Sequence, residues 1–268
     1  MAILLDPAER TARGVAAQTD RLATPVPNPQ TPYQAAVRDF VFAEVWTRPA
    51  LDLRARYLIS MAGACNTGDA DIATAYARGA LSGGELTLAE MREAALHAAV
   101  YCGWSTGGRW DRAVTVAATE LGLPAADFPP IRAEPWEHEA RLAVGAKNFA
   151  DVMTFGGPPP QARQAFFEGG INGFVFGEMW RRPGLDERSR RWITVVGVCD
   201  SAAYTPIHSH IYAAMKSGNA TQAEMLEFVL QYAIYAGWPK ASVAQGAVME
   251  QGRNVEDGLP FSVKGVQP

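Results

Sequence analysis

The stretch from Phe40 to Asp52 (FVFAEVWTRPALD) returns at Phe174 to Asp186 (FVFGEMWRRPGLD), and the 134-residue offset then holds without a gap to Gly103-Trp104 against Gly237-Trp238. About 26 of the 65 positions in this window are identical, so the chain is a tandem duplication. Arg10, Gly14 and Asp20 match Arg141, Gly145 and Asp151 at an offset of 131, which extends each unit upstream to an amino-terminal arm. The proline-rich stretch from Leu123 to Pro130 marks the boundary, giving a first unit over 1–125 and a second over 126–268. At 268 residues and 48% hydrophobic content, each unit is long enough to bury a core of its own.

Within the repeat every recognisable signal is helical. Tyr33 to Trp46 is aromatic and apolar at spacings of three and four, and Arg48-Pro49 stops it. Asp52 and Asp186 are placed to cap the next helix, which runs to Cys65 or Cys199. A shorter helix is predicted over 72–82 and 207–217, ended at Gly84 or Gly218. Thr87 with Glu90, and Thr221 with Glu224, are capping boxes that open helices apolar on more than one face. No window alternates as a strand does, so the fold class is all-α. Thr106 to Arg109, with its paired glycines, reads as a turn, as does Thr154 to Gly157 ahead of Pro158-Pro159-Pro160. The tail from Gly258 has no periodicity and reads as either draped over a neighbour or frayed.

Composition narrows the function classes. A net charge of −4 gives no general attraction to phosphate backbones or anionic lipid, so neither nucleic acid nor a membrane is an expected partner. No apolar run approaches the length that spans a bilayer, and the amino terminus lacks a basic region before a signal core, which reads as cytoplasmic. Three scattered cysteines, Cys65, Cys102 and Cys199, form no Cys-x-x-Cys and no disulfide framework.

The motif GEMWRRPGLDERSR (177–190), a helix, a His-bearing helix (His210 to Met215), the Thr-x-x-Glu-Met box and YAGWP (235–239) resemble the carboxymuconolactone decarboxylase family in that order. The arm at Arg141 to Gly145 is similar to that family's amino-terminal segment. The resemblance implies an all-helical fold of the alkylhydroperoxidase-D type, assembled as a homotrimer or larger closed ring with sites near subunit contacts. It implies a cofactor-independent lyase or isomerase acting on a small oxygenated, anionic cyclic acid or lactone. The peroxidase branch of the superfamily depends on a Cys-x-x-Cys pair, and Cys199-Asp200-Ser201-Ala202 offers one thiol only.

Loss of CO2 leaves an electron pair that must be delocalised and then protonated at carbon, so such a site needs a cation, donors for developing charge and an acid. The copies differ where that acid would stand: His210 occupies the position of Tyr76. His210 is therefore the expected proton donor, since an ordinary imidazole titrates near neutrality. Arg188 and Arg190 are candidate carboxylate forks, although Arg54 and Arg56 repeat them and pairing with Asp or Glu is the alternative. Glu178, like Glu44, sits among aromatic neighbours and reads either as a structural ion pair or as an orienter of His210 or general base. Cys199 is the remaining catalytic candidate, either as a thiol nucleophile or as a small buried residue. Trp180, Tyr204 and Trp238 are candidate walls of an apolar pocket, and His208 a candidate substrate contact, although it lies about 200° around the helix from His210. The His208/His210 spacing does not suit a metal on a helix. The second unit thus reads as the active copy and the first as mainly structural, lending residues across an interface at most. Rival readings are a thiol peroxidase using Cys199 and a non-catalytic ligand-binding assembly protein.

Overall fold

The computed structural model describes residues 5–132, 134–157 and 164–263. Pro158 to Pro160 lie outside them. The described chain is all-α, with no strand among the described residues. The first copy comprises α1 (Pro7–Leu22), α2 (Pro32–Ala36), a π-helix (Val37–Val45), α3 (Leu53–Thr67), α4 (Ala70–Ser82), α5 (Leu88–Cys102) and α6 (Trp104–Glu120). The second repeats it as α7 (His138–Met153), a π-helix (Phe166–Val175), a 3-10 turn (Met179–Arg181), α8 (Glu187–Ser201), α9 (Tyr204–Lys216), α10 (Gln222–Ala236) and α11 (Trp238–Glu256).

The predicted punctuation appears where the side chains can reach orphan N–H groups. Asp52 accepts from Ala55 N and Asp186 from Ser189 N at 2.7 Å each, and both Thr-x-x-Glu boxes close reciprocally. Gly84 and Gly218 adopt left-handed φ just beyond α4 and α9. The aromatic segment before the arginine-proline stop is wound as a π-helix in both copies, wider than the α-helix its spacing suggests. Each arm crosses it closely at one glycine: a Cβ on Gly14 would overlap the carbonyl of Arg38, and one on Gly145 the carbonyl of Asn172, the same place in the repeat.

Residues 106–109 are not a turn. They lie in the first turns of α6, and Gly107 lets that helix lie against α5, because a Cβ there would stand 2.5 Å from that of Ala99. Paired glycines weaken a helix locally, and here close packing outweighs propensity.

The copies do not bury separate cores. Helices α3, α5, α8 and α10 pack together across the repeat, and one apolar cluster runs from Leu58, Ile59 and Met61 to Ile193, Val195, Val196 and Phe228. Broadly apolar helices with no solvent face need two partners each, and in this chain the second partner is the other copy. Ion pairs lock the exchange symmetrically. Arg182 grips Glu93 through Nε and Nη2 at 2.9 and 2.5 Å, and Arg48 grips Glu227 in the repeat-related place. Around the same pseudo-twofold, Arg54 meets Asp186 and Arg188 meets Asp52. The irregular connection before α7 then folds back, and the carbonyls of Pro129, Pro130 and Ile131 accept from Arg182.

Candidate active site

Because α5 crosses into the second copy, the surroundings of His210 are composite. His210 rises from α9, and its ring meets Tyr101 of α5 edge-on, with centroids 5.3 Å apart. Trp180 donates from Nε1 to Tyr101 Oη at 2.7 Å and stacks on Phe176. His97, one turn before Tyr101, packs edge-on against Trp180 at 4.9 Å. Behind this layer lies Arg191, fully buried, its guanidinium 4.8 Å over the Trp180 ring and donating to the carbonyl of Val152.

A cavity of about 380 Å³ opens at the imidazole. Its walls include Phe149, Phe155, Phe176, Ile171, Val175 and Phe261, with Tyr101, Thr205, Ser209 and His210 the polar contributors. His210 Nδ1 is buried with no hydrogen-bond partner among the described residues. Burial, then the charge of Arg191, lowers the His210 pKa to about 3, so the imidazole is neutral at rest. This reverses the expected resting state of an acid poised near neutrality.

His97 is held neutral as well, far below its ordinary value, first by burial and then by Arg190 and Arg191. Arg190 Nη1 lies 3.4 Å from His97 Nδ1, and His97 Nε2 lies 2.9 Å from Thr194 Oγ1. A guanidinium only donates, so Nδ1 accepts and the proton sits on Nε2. The other copy performs the same exchange with an amide: Gln231 accepts from Arg56 at 2.7 Å and donates to Ser60 at 3.0 Å. His97 thus matches a residue that cannot titrate, which makes it a positioning group for Arg190.

Two buried neutral imidazoles give a pH signature. The unfolded chain binds protons on both below about pH 6.5 while the folded chain does not, so their contribution is full above that pH and declines as pH falls below it, for His210 down to about 3. Each costs about 1.4 kcal/mol per pH unit over that window. The urea midpoint is expected to drop between about pH 7.5 and 5, and His97→Gln to flatten the slope. A midpoint indifferent to pH over this range in the parent chain would contradict the neutral assignments.

The other sequence candidates lie as follows. Arg188 donates to Asp52, Glu224 and the carbonyl of Asn219, and Arg190 to His97 and the carbonyl of Arg182, so neither turns a free fork to the cavity. Of the two readings the structural pairing is the one seen here: the other copy brings Asp52 to Arg188 and His97 and Glu93 to Arg190, while Glu224 and the carbonyls of Asn219 and Arg182 come from their own copy. Glu178 is held by Arg141 Nη1 at 3.3 Å, as Glu44 is by Arg10, and no contact joins it to His210 among the described residues. Burial raises its pKa despite Arg141. Cys199 is buried with its thiol pKa pushed up by burial, opposite to an activated thiolate. His208 bonds to the carbonyl of Tyr204 and faces Glu250 at 3.7 Å, on the other side of α9 from the cavity. Tyr204 stacks on His208, and Trp238 is 58% exposed beside Phe40; neither borders the cavity. Trp180 stands one layer behind it.

The tail is fastened over residues 259–263, and the rest of it lies outside the described residues. Tyr212 Oη donates to the carbonyl of Leu259 and Gln251 Nε2 to that of Ser262, both at 3.0 Å, which pins Phe261 against Phe155 with centroids 4.7 Å apart. It drapes over this chain's own cavity. In the first copy, Tyr76 stacks on Trp46 and accepts from Tyr235 Oη at 2.6 Å, so its larger ring takes up the space beside the counterpart of Tyr101.

Sequence reasoning missed Tyr101, Arg191, His97 and Phe261. Arg191 carried a usable signal, since its repeat partner is Tyr57, the same kind of contrast that singled out His210.

Among the described residues no helix is long and apolar enough to cross a membrane, and no cluster of three His, Cys, Asp or Glu is gathered for a metal. This two-copy helical fold, with a histidine-bearing cavity, is matched by the carboxymuconolactone decarboxylase family over residues 31–118 and 167–250, more than half of the chain. The chain belongs to that family. It is 31% identical over 78 residues to the 4-carboxymuconolactone decarboxylase of Acinetobacter baylyi, covering 29% of this chain and 58% of that protein. It is 37% identical over 69 residues to the nitrosuccinic acid decarboxylase of Metarhizium robertsii, covering 26% and 48%. The chain thus spans about half the length of the curated relatives it matches.

Proposed function

We propose that this chain is a lyase that decarboxylates a small organic acid at the His210 cavity. The observation that carries the reading is a neutral imidazole, its Nδ1 without a partner among the described residues, at the edge of an apolar cavity in a family whose named relatives are decarboxylases of small acids. A carboxylate entering this cavity loses water, and the apolar walls disfavour its localised charge more than the delocalised charge of the transition state. The bond from carbon to the carboxylate breaks, and its electron pair moves onto an adjacent electron-accepting group as CO2 leaves.

The carbon then needs a proton. A carboxylate beside His210 offsets the field of Arg191 and favours the imidazolium, so the site takes up a proton from solvent with its substrate and delivers it to carbon. One proton is consumed and one CO2 released per turnover. Tyr101, Trp180 and Arg191 hold the ring and supply the field. No step needs a thiol.

Carboxylated lactones and small acids bearing an electron-accepting group beside the carboxylated carbon are the compounds to assay, with CO2 release followed in D2O. Deuterium is expected on the carbon that lost CO2, and Cys199→Ser is expected to retain turnover. Dithiol-driven peroxide reduction that Cys199→Ser abolishes, with no CO2 from any such acid, would replace this reading with the thiol one.

A further inference from the structure

Decarboxylation sets no limit on what the rest of the acid looks like; the cavity does. Beyond His210 its described walls are aromatic and aliphatic apart from the hydroxyls of Tyr101, Thr205 and Ser209, and none of the described lining residues other than His210 can carry a positive charge. The arginines nearest in sequence are committed elsewhere, Arg188 to Asp52 and Glu224, and Arg190 to the His97 lock. Among the described residues one further cation reaches the site by its field. Arg191 stands behind Met153, with Nη1 4.0 Å from that sulfur and Nη2 3.4 Å from the Glu187 carboxylate, and its Nε is buried with no partner among the described residues. Its charge is shared with Glu187 yet still acts on His210, so it can favour at most one carboxylate beside the imidazole. A second carboxylate deeper in the cavity would lie among phenylalanines without a counter-charge, a costly arrangement.

The far wall is supplied by the tail. Phe261 stacks on Phe155 with an interplanar angle of 16°, packs on Tyr212 and faces into the same cavity. Hydrogen bonds to the carbonyls on either side of it fix the ring, and one of their donors, Gln251, is wholly buried. A segment without helix or strand is therefore fastened at two points so as to present one aromatic ring.

We infer that the acid taken by this site carries one carboxylate on an apolar, ring-sized body, and that Phe261 is the residue that selects this body. The inference rests on the reading of the His210 cavity as the active site, but it concerns binding and needs no turnover. Phenylacetate and 4-carboxyphenylacetate make a matched pair of probes, differing by one carboxylate at the far end of the ring. Calorimetry on the full chain is expected to give phenylacetate an affinity at least roughly 30-fold higher, since an unpaired buried carboxylate is strongly disfavoured. Phenylacetate is also expected to shift the His210 imidazole resonances.

Phe261→Ala should weaken phenylacetate by about tenfold, and Phe261→Leu, which keeps an apolar wall, by less. Phe261→Lys should raise the affinity for 4-carboxyphenylacetate and lower that for phenylacetate, with circular dichroism confirming the fold of each variant. Equal affinity for the two probes, no binding of phenylacetate, an undisturbed His210 or an indifferent Phe261→Lys would each overturn the inference. Probe selectivity without CO2 release from any acid would remove the decarboxylase reading and leave this one standing. Release of CO2 from a dicarboxylic acid, with equal probe binding, would do the reverse.

Discussion

His210→Gln is expected to lower the rate of CO2 release by roughly 10²-fold or more, the range lost when a positioned proton-transfer group is removed. Glutamine keeps a polar head of similar reach but cannot take up the proton that a bound carboxylate brings with it. Tyr76→Phe, the matched change in the other copy, removes a hydroxyl bonded to Tyr235 and is expected to leave the rate nearly unchanged. Turnover of both variants and their parent, at equal circular dichroism and melting temperature, is the measurement. Because the neutral imidazole has to be charged by its substrate, the parent should also take up protons from a weakly buffered solution on binding a carboxylate, and His210→Gln should not. A folded His210→Gln chain with near-native turnover would shift the chemistry to another group in the cavity.

Much of the frame was legible because it is local. Asp52, Asp186 and the two Thr-x-x-Glu boxes act on N–H groups three residues away, so the sequence holds both donor and acceptor. Pairing of Glu44 and Glu178 with repeated arginines was open as one of two readings, and the arms supply those arginines as Arg10 and Arg141. The exchange of α5 and α10 between the copies was not legible. Apolar residues on several faces say that a helix is buried, not which helix buries it. For Arg188 and Arg190 the sequence left carboxylate fork and structural pairing both open, and in the fold their donors are taken by neighbours.

Comparing the copies works only when a difference in residue is also a difference in physical role. His97 and Gln231 differ in kind, yet each accepts from an arginine and donates to a hydroxyl, so that contrast carries no chemistry by itself. Arg191 and Tyr57 differ in charge, and only the arginine places a field beside His210. Phe261 left no trace because its anchors are backbone carbonyls, which any sequence provides.

Arg182→Met is expected to be the most damaging single change to stability, costing about 3–5 kcal/mol, because it removes both hydrogen bonds to the Glu93 carboxylate in the core and leaves it only the more distant Arg190, 3.8 Å away. Both side chains of this pair are only 4% exposed, and the bridge joins a helix of one copy to the other copy's arginine-proline turn. The repeat-related Arg48→Met should cost distinctly less. Each carboxylate keeps a second arginine, Arg56 at 3.5 Å from Glu227 and Arg190 at 3.8 Å from Glu93, but Arg48 is 40% exposed, so water can reach Glu227 when the guanidinium is gone. The difference comes from the connection between the copies, whose carbonyls at 129–131 close over Arg182. Replacing both partners, as Glu93→Leu with Arg182→Met, should recover much of the loss, since two apolar side chains need no desolvated charge. Denaturant midpoints of the three variants decide the matter. If Arg182→Met and Arg48→Met cost the same, the connection does not seal the pair, and the copies are clasped with equal strength on both sides of their pseudo-twofold. If Arg182→Met is the weaker fold, its loss should also loosen α5 and carry Tyr101 away from His210, so that turnover falls before the chain as a whole unfolds.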